Sequence, residues 1–167
     1  MTQLDHYSIK FSKQTFPIIL ISDNITNAPN LGGLFRTADA FGIEKLILCG
    51  KSISLGRKMT KTSRATEKTV SYEIHNQTLN ILKDLRSKSY KIICLEITDT
   101  SKPVYSFDFS KEKPIVLVVG NENFGISKEI LEFSDSVVHI EMYGQNSSMN
   151  VVQATNIALY EITKQLK

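Results

Sequence analysis

Runs of apolar residues alternate along the chain with segments in which apolar residues recur at helical spacing. Several of these runs are continuously apolar, as expected of strands that are buried on both faces of a sheet. The alternation predicts an α/β fold in which a mostly parallel sheet is flanked by helices. The predicted strands are Pro17–Ser22, Lys45–Cys49, Val70–Ile74, Lys91–Ile97, Ile115–Val119 and Val137–Ile140.

Helical spacing is clearest between the first two predicted strands, where Gly42 follows the apolar positions at the place of a C-terminal cap. The apolar positions of this helix are Leu31, Leu34, Phe35, Ala38 and Phe41. Further helices are predicted over Asn76–Lys88, over Ser127–Phe133 with Ser127 as the capping residue, and over Val151–Lys167. The last of these is apolar on more than one side near its start.

The chain has 167 residues, of which 41% are hydrophobic and 22% charged, a composition typical of a folded protein. This length favours a single domain over residues 1–167. The longest apolar runs are too short to cross a bilayer, and Met1–Phe16 lacks the continuous apolar stretch of a secretory signal. A cytoplasmic protein is therefore expected. Cys49 and Cys94 each lie in an apolar run and are interpreted as buried structural thiols.

The net charge is only +3, but the basic residues are unevenly distributed. Between Lys51 and Lys68, six basic residues stand against a single acid, Glu67. This segment is interpreted either as a solvated loop or as a positive patch that binds an anionic partner.

The loops that follow the strands are the candidate functional segments, because ligands of open α/β sheets bind beyond the carboxyl ends of the strands. The first such loop brings Asn30 to the start of a helix and Arg36 about one and a half turns later. The alternative interpretation is that Asn30 only caps this helix and Arg36 is a solvated helix residue.

Two further loops are rich in polar side chains and glycine. Residues 120–125 place Glu122 between glycines, which permit the close approach of a bound molecule but also serve a tight turn. In residues 140–150, seven of eleven side chains can form hydrogen bonds, with neither a metal-ligand spacing nor a hydrolase triad. Ser147 or Ser148 alternatively serves only to cap the last helix.

In order and spacing, the three loops resemble the signature motifs of the SpoU (TrmH-type) RNA 2′-O-ribose methyltransferases of the SPOUT superfamily. The first motif, N-x-G-x-x-x-R, is matched by Asn30, Gly32 and Arg36, and the second, G-x-E-x-x-G, by Gly120, Glu122 and Gly125. The third motif is matched by Ile140, Met142, Gly144, Ser148, Met149 and Asn150. Two positions depart from the family pattern, since Glu141 replaces the usual proline and Val152 a small or polar residue.

The resemblance implies that S-adenosyl-L-methionine (SAM) donates a methyl group to a ribose 2′-hydroxyl in tRNA or rRNA, with no metal ion. The implied cofactor pocket consists of Leu95, Gly120, Ile140, Met142, Ser148 and Met149. The implied catalytic residues are Asn30, Arg36, Glu122, Ser148 and Asn150.

The general base proposed for the family corresponds to Arg36 in this sequence. A guanidinium is effectively always protonated, so the preferred role of Arg36 is to stabilise the developing alkoxide. None of the histidines is a better candidate base, because His6 and His75 lie outside the motifs. His139 lies inside an apolar strand and is interpreted as a structural residue.

The family fold also implies a deep trefoil knot, in which the chain after Ile140 threads through an earlier loop, and a homodimer whose interface uses the C-terminal region. Because the resemblance covers nearly the whole chain, no separate RNA-binding domain is expected. The residues expected to hold RNA phosphates are Arg57, Lys58, Lys61 and Arg64.

Three alternative functions are weaker. A SPOUT enzyme that methylates a base is disfavoured by the first and third motifs, which resemble the ribose-modifying branch. A non-catalytic RNA-binding relative is disfavoured because the side chains assigned to the reaction are present. A dinucleotide-dependent oxidoreductase is disfavoured because no G-x-G-x-x-G follows the first strand.

Overall fold

Strands and helices alternate through residues 11–167, the part of the chain that the structure, a computed structural model, describes. Residues 1–10, with His6 among them, lie outside the described residues. The elements are β1 (Phe16–Asp23), α1 (Ala28–Ala40), β2 (Ile43–Cys49), α2 (Arg57–Ser63), β3 (Tyr72–His75), α3 (Thr78–Ser87), β4 (Lys91–Leu95), β5 (Lys102–Pro103), β6 (Ile115–Val119), α4 (Lys128–Phe133), β7 (Ser136–His139) and α5 (Val151–Leu166). Short 3-10 turns cover Thr66–Lys68, Val104–Ser106 and Phe109–Lys111.

The strands form one parallel sheet in the order β3-β2-β1-β6-β4-β7-β5. The predicted α/β fold with a mostly parallel sheet is therefore confirmed. The chain leaves β1 toward β2 on one side and leaves β6 toward β7 on the other, so the strand order reverses between β1 and β6. Val119 at the end of β6 pairs with Ser22 and with Leu95. The loops after β1, β4 and β6 therefore start side by side, where open α/β sheets bind ligands.

Both faces of the sheet are covered by helices. Side chains of each central strand point alternately to the two faces and therefore belong to two different cores. In β6, Leu117 belongs to the core under α1, α2 and α5, while Val118 belongs to the core under α3 and α4. All five residues of β6 are buried, which explains its continuous apolar sequence.

Two adjacent glycines let α1 approach two other helices closely. A Cβ atom at Gly32 would lie 2.6 Å from the backbone oxygen of Met59 in α2, and one at Gly33 would lie 2.8 Å from the Val152 side chain in α5. A larger residue at either position would push these helices apart. The glycines of the first motif therefore place α2 and the start of α5 against the helix that carries Asn30 and Arg36.

Strand boundaries differ from the predictions where a local hydrogen bond replaces a strand pairing. The predicted strand over Val70–Ile74 is β3, which begins two residues later because the Val70 N–H donates to Thr66 in a turn. β4 ends at Leu95, before the predicted Ile97, because the Ile97 N–H donates to the Glu96 carboxylate. β5 was not predicted, because it has only two residues.

The residues that cap the helices also differ from the predictions. α1 is capped by Asn27, whose side chain accepts the Asn30 N–H at 3.2 Å, so the interpretation of Asn30 as the cap is wrong. α5 is capped by Asn150, so the interpretation of Ser147 or Ser148 as its cap is also wrong. Ser127 occupies the N-cap position of α4 but its side chain makes no capping hydrogen bond.

Other local predictions hold. Gly42 follows α1 with a φ of 57°, in the left-handed region that a glycine favours at a helix end. Cys49 and Cys94 are free and fully buried, and burial raises the pKa of Cys49 to about 11 and that of Cys94 to about 12. Within residues 11–167, no helix is both long and apolar enough to cross a membrane.

Candidate active site at the carboxyl ends of the strands

A cavity of about 760 Å³ lies at the carboxyl ends of β4, β6 and β7. The six residues predicted to contact a cofactor all line it, namely Leu95, Gly120, Ile140, Met142, Ser148 and Met149. Leu95 ends β4, Gly120 follows β6, and the other four belong to the loop between β7 and α5. The structure therefore brings together residues from three segments that lie far apart in the sequence.

The loop after β6 is packed so closely that two of its positions leave no room for a side chain. A Cβ atom at Gly120 would lie 2.4 Å from both the carbonyl carbon of Gly125 and the nitrogen of Ile126. Gly125 has a φ of 66°, and a Cβ atom there would lie 2.5 Å from the Glu96 carboxylate. Both motif glycines are therefore required by local packing, and Gly120 forms part of the cavity wall.

Glu96 ties two of the loops together. Its carboxylate accepts the backbone N–H of Ile97 at 3.0 Å and that of Ile126 at 3.0 Å. The bond to Ile126 joins the end of β4 to the loop after β6, and Glu96 itself lines the cavity. Glu96 was not predicted as a site residue because it lies within the predicted strand Lys91–Ile97, although a carboxylate directly after a buried apolar run is a detectable signal.

A chain of hydrogen bonds joins Asn150, Asn30 and Glu122 at the mouth of the cavity. The Asn150 side chain accepts the Val152 N–H at 2.9 Å and donates through Nδ2 to Oδ1 of Asn30 at 3.0 Å. Asn30 in turn donates through Nδ2 to the Glu122 carboxylate. Glu122 and Asn150 line the cavity, whereas Asn30 supports them from α1. Three of the five predicted catalytic residues are thus directly connected.

Arg36 is not brought into this group. It lies on α1, exposed, and neither lines the cavity nor forms a hydrogen bond or ion pair with any residue of 11–167. Arg36 follows Asn30 by six positions along the helix, a rise of about 9 Å. Its guanidinium is therefore available to a group that approaches from outside the protein.

The loop between β7 and α5 presents mostly exposed side chains. The Ser148 backbone N–H donates to the Asn146 side chain at 3.3 Å, which orders this part of the loop, and Ser148 lines the cavity. Glu141, which replaces the family's proline, accepts a hydrogen bond from the Tyr143 hydroxyl at 2.9 Å and raises the pKa of that phenol. Glu141 does not line the cavity.

His139 and Thr98 are further polar residues of the cavity wall that were not predicted to belong to the site. His139 lines the cavity, and its Nδ1 lies 2.9 Å from the Ser101 hydroxyl, so this histidine has a hydrogen-bond partner as its structural interpretation requires. Thr98 also lines the cavity, and its hydroxyl is buried without a hydrogen-bond partner in the described residues. A buried hydroxyl without a hydrogen-bond partner lowers the stability of the folded state unless a ligand or water forms a hydrogen bond with it.

The basic segment contains a helix that the sequence analysis treated as a loop. α2 was missed because only Met59 and Ser63 of its seven residues are buried, which leaves no apolar periodicity. Its basic residues, Arg57, Lys58 and Lys61, and the following Arg64 are all exposed and form no ion pair within residues 11–167. The one acid nearby, Glu67, accepts a hydrogen bond from Ser63 instead, which lowers the pKa of its carboxyl. The positive charge of this helix is therefore uncompensated.

The chain is similar in sequence to known RNA methyltransferases. The sequence is 33% identical over 92% of its length to a tRNA (guanosine(18)-2′-O)-methyltransferase of Aquifex aeolicus, of which it spans 72%. It is 29% identical over 89% of its length to a 23S rRNA (guanosine-2′-O-)-methyltransferase of Ralstonia nicotianae, of which it spans 59%. The chain therefore covers less than two thirds of the length of this second relative.

The fold is shared with a crystal structure of an AdoMet-bound rRNA methyltransferase from Sinorhizobium meliloti. The TM-score is 0.84 at 25% sequence identity, over 94% of this chain and 59% of the other. Residues 17–160, which include all three motif loops and the cavity, match the SpoU rRNA Methylase family. A match over most of the sequence, together with these relatives, establishes that the chain belongs to the SpoU rRNA Methylase family.

Proposed function

We propose that this chain transfers a methyl group from SAM to a ribose 2′-hydroxyl in tRNA or rRNA. The observation that carries the proposal is the hydrogen-bonded chain of Asn150, Asn30 and Glu122 at the mouth of a cavity walled by all six predicted cofactor residues. The named activities of the tRNA and rRNA methyltransferases to which the chain is similar support the same reaction.

The cavity fits SAM in size and chemistry. Its volume of about 760 Å³ is within the range of small-molecule sites, and Leu95, Ile140 and Met149 supply apolar walls. Gly120 contributes backbone atoms and no side chain to the cavity wall. The unpaired hydroxyl of Thr98 offers a polar partner that the protein itself does not satisfy. When bound, SAM supplies an electrophilic methyl group on a sulfonium centre.

The residues at the cavity mouth position the acceptor. The hydrogen bond from Asn30 holds the Glu122 carboxylate in place, and Ser148 and Asn150 border the same opening. A ribose hydroxyl that meets these groups is aligned with the methyl donor, which is the main requirement of a displacement reaction.

Arg36 acts from the RNA side of the site in this proposal. Its guanidinium donates to the 2′-oxygen or to an adjoining phosphate, so that the negative charge that develops as the hydroxyl gives its proton to water is stabilised. Its exposure and its lack of an ion pair within residues 11–167 support this role, because the side chain is free to meet the substrate.

The RNA is held by α2 and Arg64 through phosphate contacts. Arg57, Lys58, Lys61 and Arg64 form a cluster of exposed positive charge. The close packing of Gly32 against α2 places this cluster beside the helix that bears Asn30 and Arg36. A polyanion bound along α2 therefore passes near the proposed reacting groups.

The proposed family topology includes a C-terminal trefoil knot within a single domain of residues 1–167. α5 contacts α1 and β4, while Gln165 of α5 donates to the Phe107 carbonyl at 3.1 Å and accepts the Phe109 N–H at 2.8 Å. The last helix therefore has the sheet on one side and the connection between β5 and β6 on another. This arrangement is expected if the chain after β7 threads through that connection.

A homodimer is proposed as the active form. In α5, Ile157 and Tyr160 are 41% and 64% exposed and lie three residues apart, so they share a helix face that no described residue covers. Light scattering at micromolar concentration is expected to give the mass of two chains, and the mass of one chain would contradict the dimer.

Two measurements test the proposed activity. Calorimetry is expected to show binding of SAM, and mapping of 2′-O-methyl nucleotides in cytoplasmic RNA with and without the protein is expected to show one added site. Absence of SAM binding would contradict the proposed enzymatic function. Transfer of the methyl group to a base would instead identify a base-modifying enzyme with the same fold.

A further inference from the structure

Phe124 is the most exposed residue of the cavity's apolar lining. It lies in the loop after β6, two residues beyond Glu122, and is 88% exposed. Several aromatic residues of 11–167 are exposed, namely Phe11, Tyr72, Tyr105, Phe124, Tyr143 and Tyr160, but of these only Phe124 lines the cavity. A large apolar ring is thus presented to solvent at the mouth of the proposed active site.

The loop that presents Phe124 is held by several hydrogen bonds. Asn121 and Gly125 exchange backbone hydrogen bonds of 3.2 and 2.8 Å, which close the loop at its base. The Asn121 side chain accepts the Phe124 N–H at 3.3 Å and donates to the carbonyl of Asn24 at 2.8 Å. The backbone of Phe124 is therefore anchored to the loop after β1, although its ring is free.

The substrate proposed above supplies a group that such a ring can bind. If the ribose of the acceptor nucleotide lies at Glu122 and Asn150, the base that it carries extends beyond the cavity mouth. Unpaired RNA bases stack on aromatic side chains, and this contact requires an exposed ring at a fixed position. Phe124 meets both conditions, since it is exposed and its backbone is anchored.

We propose that the base of the methylated nucleotide stacks on the ring of Phe124. This proposal rests on the proposed ribose methylation and adds a second contact to the acceptor nucleotide, at the mouth of the cavity. Stacking accepts any base because every base has an aromatic face, so Phe124 contributes affinity for an unpaired nucleotide and not a choice among the four bases. A duplex, in which the base is already stacked, does not meet this requirement.

Substitutions at Phe124 separate stacking from mere apolar contact. F124A and F124L are both expected to weaken binding of the RNA substrate roughly 5- to 150-fold, the range found for loss of one base–aromatic stack. F124W keeps an aromatic surface and is expected to bind at least as tightly as wild type. The matched control is F11A, which removes the same side chain from a position that is 86% exposed but does not line the cavity.

The decisive probe is the RNA substrate with 2-aminopurine at the methylated position, because stacking quenches the fluorescence of this base. Quenching is expected on binding to wild type, F11A and F124W, and is expected to be lost in F124A and F124L at saturating protein. In steady-state assays, F124A should raise KM for RNA by a larger factor than it lowers kcat.

Three results would overturn the proposal. The first is equal quenching by F124A and wild type while the wild-type chain methylates the RNA, which leaves the proposed activity intact. The second is a halved mass of F124A in light scattering, which would place Phe124 against a partner subunit. The third is a wild-type chain that does not methylate RNA at all, which would remove the proposed function together with this contact.

Discussion

Nδ2 of Asn150 donates a hydrogen bond of 3.0 Å to Oδ1 of Asn30, 120 residues earlier in the chain. Asn150 uses its two amide atoms for different tasks, because its oxygen caps α5 while its nitrogen orients Asn30. With its oxygen held by Asn150, the Asn30 side chain directs its nitrogen to Glu122 and donates to that carboxylate. The start of the last helix thus sets the orientation of the proposed catalytic carboxylate.

Asn150→Asp separates the capping function from the proposed catalytic function. The aspartate keeps an oxygen for the Val152 N–H and suits a helix N-terminus, so the melting temperature is expected to stay at or above that of wild type. The amide donor to Asn30 is lost, and misplacement of the reacting groups should lower kcat by up to about 100-fold. Thermal unfolding and single-turnover methyl transfer test this pair of outcomes.

The matched control for this variant is Asn27→Asp, which changes the capping residue of α1 in the same way without removing a bond to Asn30 Oδ1 or Glu122. N27D should keep activity. Asn150→Ala removes both functions and is expected to cost about 0.5–2 kcal/mol of stability as well as activity. Wild-type turnover in N150D would show that the Asn150–Asn30 bond has no part in the reaction.

Gly120→Ala is expected to abolish tight SAM binding. The added Cβ would lie 2.4 Å from the backbone of Gly125 and Ile126, so the cavity wall must shift, at a cost of about 1–3 kcal/mol. Gly144→Ala is the control, because a Cβ atom at Gly144 meets nothing within 4 Å. Titration calorimetry with both folded variants makes the comparison, and equal SAM affinity in the two would argue against Gly120 as a cofactor contact.

Arg36→Ala is expected to lower the rate of methyl transfer by about 10²–10³-fold, as for the loss of a donor to a developing oxyanion. Arg36 does not line the cavity, so SAM affinity should be unchanged. Arg36→Lys should also be poor, because a point charge on a flexible stem cannot replace a planar set of donors. A wild-type single-turnover rate in R36A would rule out this role.

Replacement of Arg57, Lys58, Lys61 and Arg64 by Ala is expected to reduce the salt dependence of RNA binding. If each residue neutralises one phosphate of single-stranded RNA, the log-log slope should become flatter by roughly 3 units. SAM affinity should not change, since none of the four lines the cavity. Binding isotherms at several salt concentrations provide the measurement.

A control with the same loss of four charges is the replacement of Lys83, Lys88, Lys91 and Lys111, none of which lies on α2. This variant should keep a salt slope close to that of wild type. An unchanged slope in the α2 variant would return Lys51–Lys68 to the interpretation of a solvated surface segment.

The apolar pattern of the sequence was sufficient to predict the sheet but less reliable at its edges. β6 has the predicted bounds because all of its residues are buried, and burial leaves a continuous apolar run. β3 and β5 lie at the two edges of the sheet, where fewer side chains are covered and the apolar signal is weaker. The prediction was displaced at β3 and missing at β5 for this reason.

Local sequence determined which residue types were available for the site, because Gly120 and the amides of Asn30 and Asn150 could be recognised from motif spacing. It did not determine which residue would cap each helix. Asn27 and Asn150 have this function instead of Asn30 and Ser148, because the cap depends on where the backbone leaves the helical conformation.

Only the tertiary structure decided that hydrogen bonds would join Asn150, Asn30 and Glu122. It also decided that Arg36 would lie outside the cavity. A sequence pattern records spacing along one element, whereas these contacts depend on how three elements approach one another. Here the approach is set by the parallel register of β1, β4 and β6 and by the absence of a side chain at Gly33, which lets α1 meet α5. Such close packing between distant segments follows from the shape of the whole core and not from the residues of any single loop.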